Sequence, residues 1–197
     1  MKLKRLVLIF FSVLFLVGCE GNVDSTIISQ GTTNTKEQLN AINSVDKHSY
    51  AEVADIFLDT EIIKTQNKPY FIVFGANGCF YCDRLKEVIK EDLAIKEILK
   101  NNFSSYYINL SYSKNHEIDF LNTNLSTAEF ARRYNVRVTP TLVFITPDGK
   151  DLFVYSGYIP RDRFAATLEF LQEPNTSNLN QKEIITTLQN LFQQKGI

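Results

Sequence analysis

Two cysteines, Cys79 and Cys82, lie three positions apart within the segment FGANGCFYCDRLKEVI. A Cys-x-x-Cys pair can supply half of a zinc site, attach a haem, close a structural loop or exchange a disulfide with another molecule. Haem attachment requires a histidine directly after the second cysteine, where this chain has Asp83. The segment therefore favours one of the three remaining kinds of site.

A metal site and a purely structural disulfide are both disfavoured. Tetrahedral zinc needs two further ligands, and the only histidines, His48 and His116, are not spaced as a ligand pair. We therefore predict no metal ion and no other cofactor. A stabilising disulfide gains most from closing a long loop, so one that closes so short a loop is better explained by exchange chemistry.

The elements predicted around the pair suit that chemistry. The apolar run YFIVFG (70–75) has the length and composition of a strand buried on both faces. A helical stripe of apolar residues begins at Leu85. Cys79 is thus expected in the first turn of a helix, where the dipole and free N–H groups stabilise a thiolate. Cys82 is expected one turn later and deeper, placed to resolve a mixed disulfide.

Pro140 is the second informative residue, because VRVTPTLVFI places it directly before a predicted strand. An ordinary trans proline there would interrupt a ladder of hydrogen bonds. We therefore predict a cis bond, which would leave the backbone of Thr139 free to pair with an extended substrate. The alternative is a plain edge-strand proline.

The amino terminus predicts export. Residues 1–18 have a basic start and an apolar run too short for a comfortable membrane span, as in a signal peptide. The run ends in LVGC, which resembles the bacterial lipobox, so Cys19 is the predicted lipidation site. The alternative is an uncleaved anchor helix. Either way the remainder is expected on the periplasmic side of a bacterial membrane and tethered to it.

Charge and cysteine usage agree with this placement. Loss of residues 1–18 removes three basic residues, leaving 18 Lys and Arg against 22 Asp and Glu. That mildly acidic balance offers no basic field for nucleic acid. A lipidated Cys19 leaves Cys79 and Cys82 as an isolated pair in an oxidising compartment.

The remaining segments predict one α/β domain with additions at both ends. We predict a flexible tether in the polar residues 19–45, the domain in 46–174, and a linker with a final helix in 175–197. The first predicted element is a helix over 50–65 with Val53, Ile56, Phe57 and Ile63 inward. After the Cys-x-x-Cys pair, helical structure is expected to continue to about residue 100, followed by a strand at 103–110 and an inserted loop or short helix at 111–125. The remaining predicted elements are a helix from Ser126 to Tyr134, strands on both sides of Pro140, a returning strand after residues 147–150, and helices at 160–171 and 181–194.

Three motifs in this order, FGANGCFYC, VRVTPTLVFITPDGK and VYSGYIPRDRF, resemble those of thioredoxin-fold proteins. The likeness spans residues 70–171 and is strongest to exported thioredoxin-like proteins of the SoxW and Dsb type. It implies an α/β thioredoxin fold: a central four- or five-stranded mixed sheet flanked by helices, with an insertion and an extra C-terminal helix. It further implies the site residues, which are attacking Cys79, resolving Cys82, cis Pro140, and substrate contacts at Thr139, Pro140, Phe80 and Tyr81.

The chain also departs from that pattern. Thioredoxin carries a buried aspartate in the strand before the cysteines, and Val73 matches it here. Glu52, Asp55 and Glu87 are other carboxylates near in sequence, each expected on a solvated helix face. Thr139 is similar to the residue found in disulfide isomerases, but the dimerisation domain of those proteins has no room in this chain.

The sequence thus predicts an exported, membrane-tethered thiol–disulfide oxidoreductase, more a reductant or isomerase of protein disulfides than a strong oxidant. Its expected partners are exported cysteine-containing client proteins and a membrane-bound thiol electron donor. The alternative is a thioredoxin-fold binding or assembly module without essential redox turnover, using residues 111–125 or the final helix. The apolar face of that helix (Ile184, Ile185, Leu188, Leu191) is expected to dock on the domain.

Overall fold

A computed structural model describes residues 46–197, so the predicted signal peptide, the tether and Cys19 lie outside the described residues. The strands are β1 (Ile62–Ile63), β2 (Tyr70–Gly75), β3 (Ser104–Asn109), β4 (Asn115–Ile118), β5 (Thr123–Ser126), β6 (Thr141–Ile145) and β7 (Asp151–Ser156). The α-helices are α1 (Phe80–Glu91), α2 (Leu93–Asn102), α3 (Thr127–Arg133), α4 (Arg161–Leu171) and α5 (Gln181–Lys195). Short 3-10 turns occupy Ala51–Val53, Asp119–Leu121 and Pro174–Asn178.

The central sheet has four strands in the order β3-β2-β6-β7. Strand β2 runs parallel to β3 and antiparallel to β6, and β7 is antiparallel to β6. All six residues of β2 are buried, as its continuous apolar run predicted. The predicted α/β architecture, a mixed sheet flanked by helices, is confirmed.

Each face of the sheet carries its own hydrophobic core. Phe71 and Val73 of β2 face the core that contains α1, α2, α4 and α5, whereas Tyr70, Ile72 and Phe74 face the core that contains α3. Burying a large apolar side chain completely stabilises the fold by about 1.5–3 kcal/mol. Burial on both faces therefore holds strand β2, and the start of the turn that follows it, in a fixed position.

The predicted helix over 50–65 is wrong, although the burial of its apolar residues is right. Ala51–Val53 forms one 3-10 turn, and the chain then becomes extended. The N–H of Leu58 donates to the carbonyl of Ser105, 2.9 Å away, and β1 follows. This segment lies along the edge of β3, where pairing supplies the hydrogen bonds that a helix would otherwise make internally.

Hydrogen bonds to backbone N–H groups refine two other predictions. Helical structure continues to Asn102, as predicted, but it is divided at Asp92, whose carboxylate caps α2 by accepting the N–H groups of Ala94 and Ile95, both at 3.1 Å. The strand predicted directly before Pro140 is absent from residues 135–139: the N–H of Val136 donates to the carbonyl of Ala131 and folds the chain back onto α3.

Residues 111–125 contain a hairpin instead of the predicted loop or short helix. Strands β4 and β5 pair antiparallel, and β1 joins β4 in parallel to complete a second, three-stranded sheet. The alternation of HEI, with His116 and Ile118 buried and Glu117 exposed, is the local signal for a strand.

Helix α5 begins at Gln181, as predicted, with a capping box formed by Asn180 and Glu183. It buries Ile184 and Leu188 in the same core as α1, while Ile185 is exposed. Much of its apolar face is thus covered by the domain. Within residues 46–197, none of the helices has both the length and the apolar character that a membrane crossing requires.

The hairpin is joined to the rest of the domain by a buried polar cluster around His116. Its Nδ1–H donates to the carbonyl of Thr60 at 2.6 Å, and its Nε2 lies 3.0 Å from Thr127 Oγ1. Lys114 Nζ donates to Thr60 Oγ1 at 2.8 Å and lies 3.6 Å from Asp59 Oδ1. Burial lowers the pKa of His116 to about 4, and the charge of Lys114 acts in the same direction.

This depressed pKa predicts a pH-dependent stability. The unfolded chain, with a histidine pKa near 6.5, binds the proton more tightly than the folded chain. The contribution is therefore fully present above about pH 6.5 and falls as the pH decreases towards 4, by up to about 3 kcal/mol. We expect urea unfolding at pH 7 and pH 4.5 to show a smaller pH-dependent loss for His116→Gln than for the unaltered chain.

The exposed His48 provides the matched control, because His48→Gln should keep the pH dependence of the unaltered chain. An equal loss of stability in the unaltered chain and in His116→Gln would show that His116 is not responsible.

Candidate active site

The two cysteines lie where β2 gives way to α1. Gly78 has φ +67, a left-handed conformation that glycine adopts without a steric cost. Cys79 follows as the N-cap of α1, and its Sγ accepts the N–H of Cys82 at 3.2 Å. The predicted placement at the start of the helix is thus observed.

Cys79 and Cys82 are joined by a disulfide, with their Cα atoms 5.2 Å apart. Cys79 is half-buried, whereas Cys82 is 1% exposed. An incoming nucleophile or client sulfur can therefore reach the outer sulfur more readily than the inner one. At the N-terminus of a 12-residue helix, a thiolate on the outer sulfur is favoured by the helix dipole and by unpaired N–H groups.

Thr139 and Pro140 meet the disulfide from 60 residues further along the chain. The Thr139–Pro140 peptide bond is cis, and Thr139 Oγ1 donates to Cys79 Sγ at 3.2 Å. Pro140 is buried, and its carbonyl accepts the N–H of Gly157 at 2.8 Å. The contact between the Thr139 hydroxyl and the outer sulfur could not be predicted from spacing.

The other two predicted substrate contacts are exposed aromatic side chains beside the disulfide. Phe80 is 65% exposed and Tyr81 is 55% exposed, and their rings meet edge to face. Two residues that the sequence analysis missed extend this surface: Tyr158 stacks on Tyr81 at 5.9 Å between ring centroids, and Val138 is 49% exposed next to Thr139. An exposed apolar patch of this kind fits contact with another polypeptide.

Asn77, also missed, holds the turn before Cys79. Its backbone N–H donates to Ser111 Oγ at 2.9 Å, and its Nδ2 donates to Tyr112 Oη at 2.7 Å. Asn109 Nδ2 donates to Asn77 Oδ1 at 2.8 Å. These bonds join the turn to the end of β3, so the position of Cys79 is fixed by the sheet as well as by α1.

The three carboxylates considered from the sequence lie in different surroundings. Glu52 Oε1 is 3.2 Å from Lys86 Nζ, on the buried side of α1. Asp55 pairs with Lys96 and Glu87 with Arg84, both at exposed positions where ion pairs contribute little. Of the three, only Glu52 thus pairs with a buried residue of the helix that carries Cys82.

No cluster of three or more metal-binding side chains is found within residues 46–197. His116 is held by Thr60 and Thr127, and His48 is exposed. The chemistry that this arrangement supports directly is disulfide exchange at Cys79.

Comparisons with known proteins place this geometry in a family. Residues 56–172 match the family described as thioredoxin-like domain. A thioredoxin-like protein from Haemophilus influenzae is 30% identical over 91 residues, which cover 44% of this chain and 54% of that protein. This chain thus matches about half of the length of that relative.

A solved structure matches a larger part of this chain. A thioredoxin-fold protein from Helicobacter pylori is 35% identical and superposes with a TM-score of 0.71, covering 77% of this chain and 98% of that one. The family match extends over more than half of the chain and contains both cysteines and Pro140. The chain belongs to the thioredoxin-like domain family.

Proposed function

We propose that the protein is an exported, membrane-tethered thiol–disulfide oxidoreductase that uses Cys79 and Cys82 to reduce or isomerise disulfides of other exported proteins. The observation that carries this proposal is the asymmetry of the pair. The outer sulfur is half-buried at a helix N-terminus, 3.2 Å from the Thr139 hydroxyl, and the inner sulfur is enclosed. One sulfur suits attack on a client, and the other suits its release.

The reaction follows in two steps. The Cys79 thiolate attacks one sulfur of a client disulfide, so a Cys79–client bond forms and the client S–S bond breaks. The displaced client sulfur leaves as a thiolate and takes a proton from water. Cys82 then loses its proton and attacks Cys79 Sγ, which releases the second client thiol. The client disulfide is reduced to two thiols while the Cys79–Cys82 dithiol is oxidised to a disulfide.

Further turnover needs an external dithiol, because each cycle leaves Cys79 and Cys82 oxidised. We assign this step to a membrane-bound thiol donor that reduces the disulfide by the same exchange in reverse. The reducing direction is supported by the threonine at position 139, which resembles that of disulfide isomerases, and by the likeness to exported SoxW-type proteins. Isomerisation uses the same first step but returns the client sulfur to another cysteine of the client.

Substrate binding is assigned to the surface around the outer sulfur. The backbone of Thr139 would pair with an extended client segment, as in strand addition. Phe80 and Tyr81 would cover the apolar residues next to the client cysteine. Tyr158 supports this surface by stacking on Tyr81.

The reaction predicts opposite results for the two cysteines. Cys79→Ser should abolish reduction of insulin by the purified chain with dithiothreitol as donor, because no attacking thiolate remains. Cys82→Ser should keep the first step and accumulate a covalent mixed disulfide, detectable as a client adduct on non-reducing gels.

Cys19→Ala supplies the matched cysteine control and should retain full reductase activity. Full activity of Cys79→Ser in the same assay would refute the proposal. Full biological function of the Cys79→Ser/Cys82→Ser double variant would favour the alternative, a binding or assembly module.

Tethering is a separate proposal that rests on the first 19 residues. In bacterial cells that make the chain with its own leader, Cys19→Ala should lose the mass of the attached lipid. Cys79→Ala, the matched control, should keep that mass. If the unaltered chain shows neither the lipid mass nor the loss of residues 1–18, an uncleaved apolar anchor is the correct explanation.

A further inference from the structure

Lys86 lies on the buried face of the helix that carries both cysteines. Its side chain is only 9% exposed, which is rare for a lysine. The ammonium is fully engaged: Nζ donates to the carbonyl of Ser49 at 2.7 Å, lies 3.2 Å from Glu52 Oε1, and lies 3.0 Å from Asp83 Oδ1. A buried ammonium is costly unless it is paired in this way. A buried lysine does not contribute to solubility as an exposed one does, so we looked for another role for Lys86.

The geometry of α1 makes Lys86 a neighbour of the resolving cysteine on the buried face of the helix. Cys82 and Lys86 are four positions apart and are both buried, so they share one face of the helix. Side chains at this spacing are neighbours, with Cβ atoms about 5–6 Å apart. Helical side chains also lean towards the N-terminus. Lys86 does so here, because it reaches back to Asp83, the residue directly after Cys82.

A buried tyrosine and three carboxylates are the other titratable groups near this part of α1. The ring of Tyr107 on β3 is buried, and its hydroxyl lies where a side chain on Gly75 would be, beneath the turn that leads to Cys79. Burial raises the pKa of Tyr107, and the negative charges of Asp83, Glu52 and Asp46 raise it further. Tyr107 is therefore neutral, and Val73 supplies no carboxylate. Lys86 is the buried cation on the face of α1 that also buries Cys82.

We propose that Lys86 is a positioning residue that stabilises the Cys82 thiolate while the mixed disulfide is resolved, with Glu52 and Asp83 holding its ammonium in place. The proposal rests on the disulfide exchange assigned above and extends it to the second step. Cys82 is 1% exposed, so water solvates a thiolate there poorly and a fixed positive charge has a large effect. The proton leaves Cys82 for water as the new Cys79–Cys82 bond forms.

The signs of the effects separate this electrostatic role from a structural one. Loss of the Lys86 charge should disfavour the thiolate, whereas loss of a carboxylate charge at Asp83 or Glu52 should favour it. Damage to the fold would slow the second step in every variant. Opposite shifts in pH dependence are therefore the expected signature.

The two steps can be timed with an aromatic disulfide, 5,5′-dithiobis(2-nitrobenzoate), on the reduced full chain carrying Cys19→Ala. The first thionitrobenzoate released reports attack by Cys79, and the second reports attack by Cys82 on the resulting mixed disulfide. A pH series by stopped flow gives the midpoint of each step.

We expect Lys86→Met to slow the second release about tenfold at pH 7 and to raise its pH midpoint by about one unit, since a nearby opposite charge shifts a pKa by about that much or more. The first release should stay within about twofold, since Cys79 depends mainly on the helix terminus. Lys86→Arg should restore the second step. Asp83→Asn should lower its pH midpoint, because it removes a negative charge next to Cys82 while the Ser49 carbonyl and Glu52 still hold the ammonium.

Lys90→Met is the matched control, because Lys90 is exposed one turn further along α1. An unchanged pH midpoint of the second step in Lys86→Met would overturn the proposal. If Lys86→Met fails to fold, Asp83→Asn decides the matter, and a midpoint that does not fall contradicts the proposal. Absence of both releases in the Cys19→Ala chain would instead refute the disulfide exchange itself.

Discussion

The structure depends on one constraint: a buried strand must deliver a cysteine to the first position of a helix and keep its partner cysteine enclosed one turn later. Strand β2 supplies the rigid base, since all six of its residues are buried between two cores. Gly78 makes the turn, and the hydrogen bonds of Asn77 fix the turn to the end of β3. The different exposure of the two sulfurs follows from this geometry, and the proposed roles of Cys79 in attack and Cys82 in release rest on it.

Other residues of the site lie around the turn that carries the cysteines. Thr139 brings a hydroxyl to the outer sulfur, and the aromatic pair Tyr81 and Tyr158 forms an apolar surface beside it. The buried face of α1, which encloses Cys82, also carries an ionic cluster in which Lys86 pairs with Glu52 and Asp83. The exposed aromatic surface proposed to meet clients and the buried face proposed to influence Cys82 thus belong to the same helix.

Local patterns in the sequence predicted strand β2, helix α1 and the position of the two cysteines between them. A continuous apolar run, a helical stripe and a Cys-x-x-Cys pair are all short-range signals. Burial near Val53 was also predicted, but the helix assigned there was wrong, because pairing of Leu58 with β3 is a long-range interaction. The hairpin of β4 and β5 was missed because its local signal, the alternation at His116 to Ile118, is very short. Lys86 carries no local signal at all: a lysine on an amphipathic helix is ordinarily exposed, and only the packing of Ser49 and Glu52 against α1 shows otherwise.

The direction of electron flow is the central claim, and the reduction potential of the Cys79–Cys82 pair tests it most directly. The measurement is equilibration of the full chain carrying Cys19→Ala with glutathione buffers, followed by quantification of the dithiol and disulfide forms. The account predicts a value close to that of thioredoxin, about −270 mV, as suits a protein that gives electrons to its clients. A value near that of DsbA, about −120 mV, would mean that the pair donates disulfides, and would contradict the proposed direction.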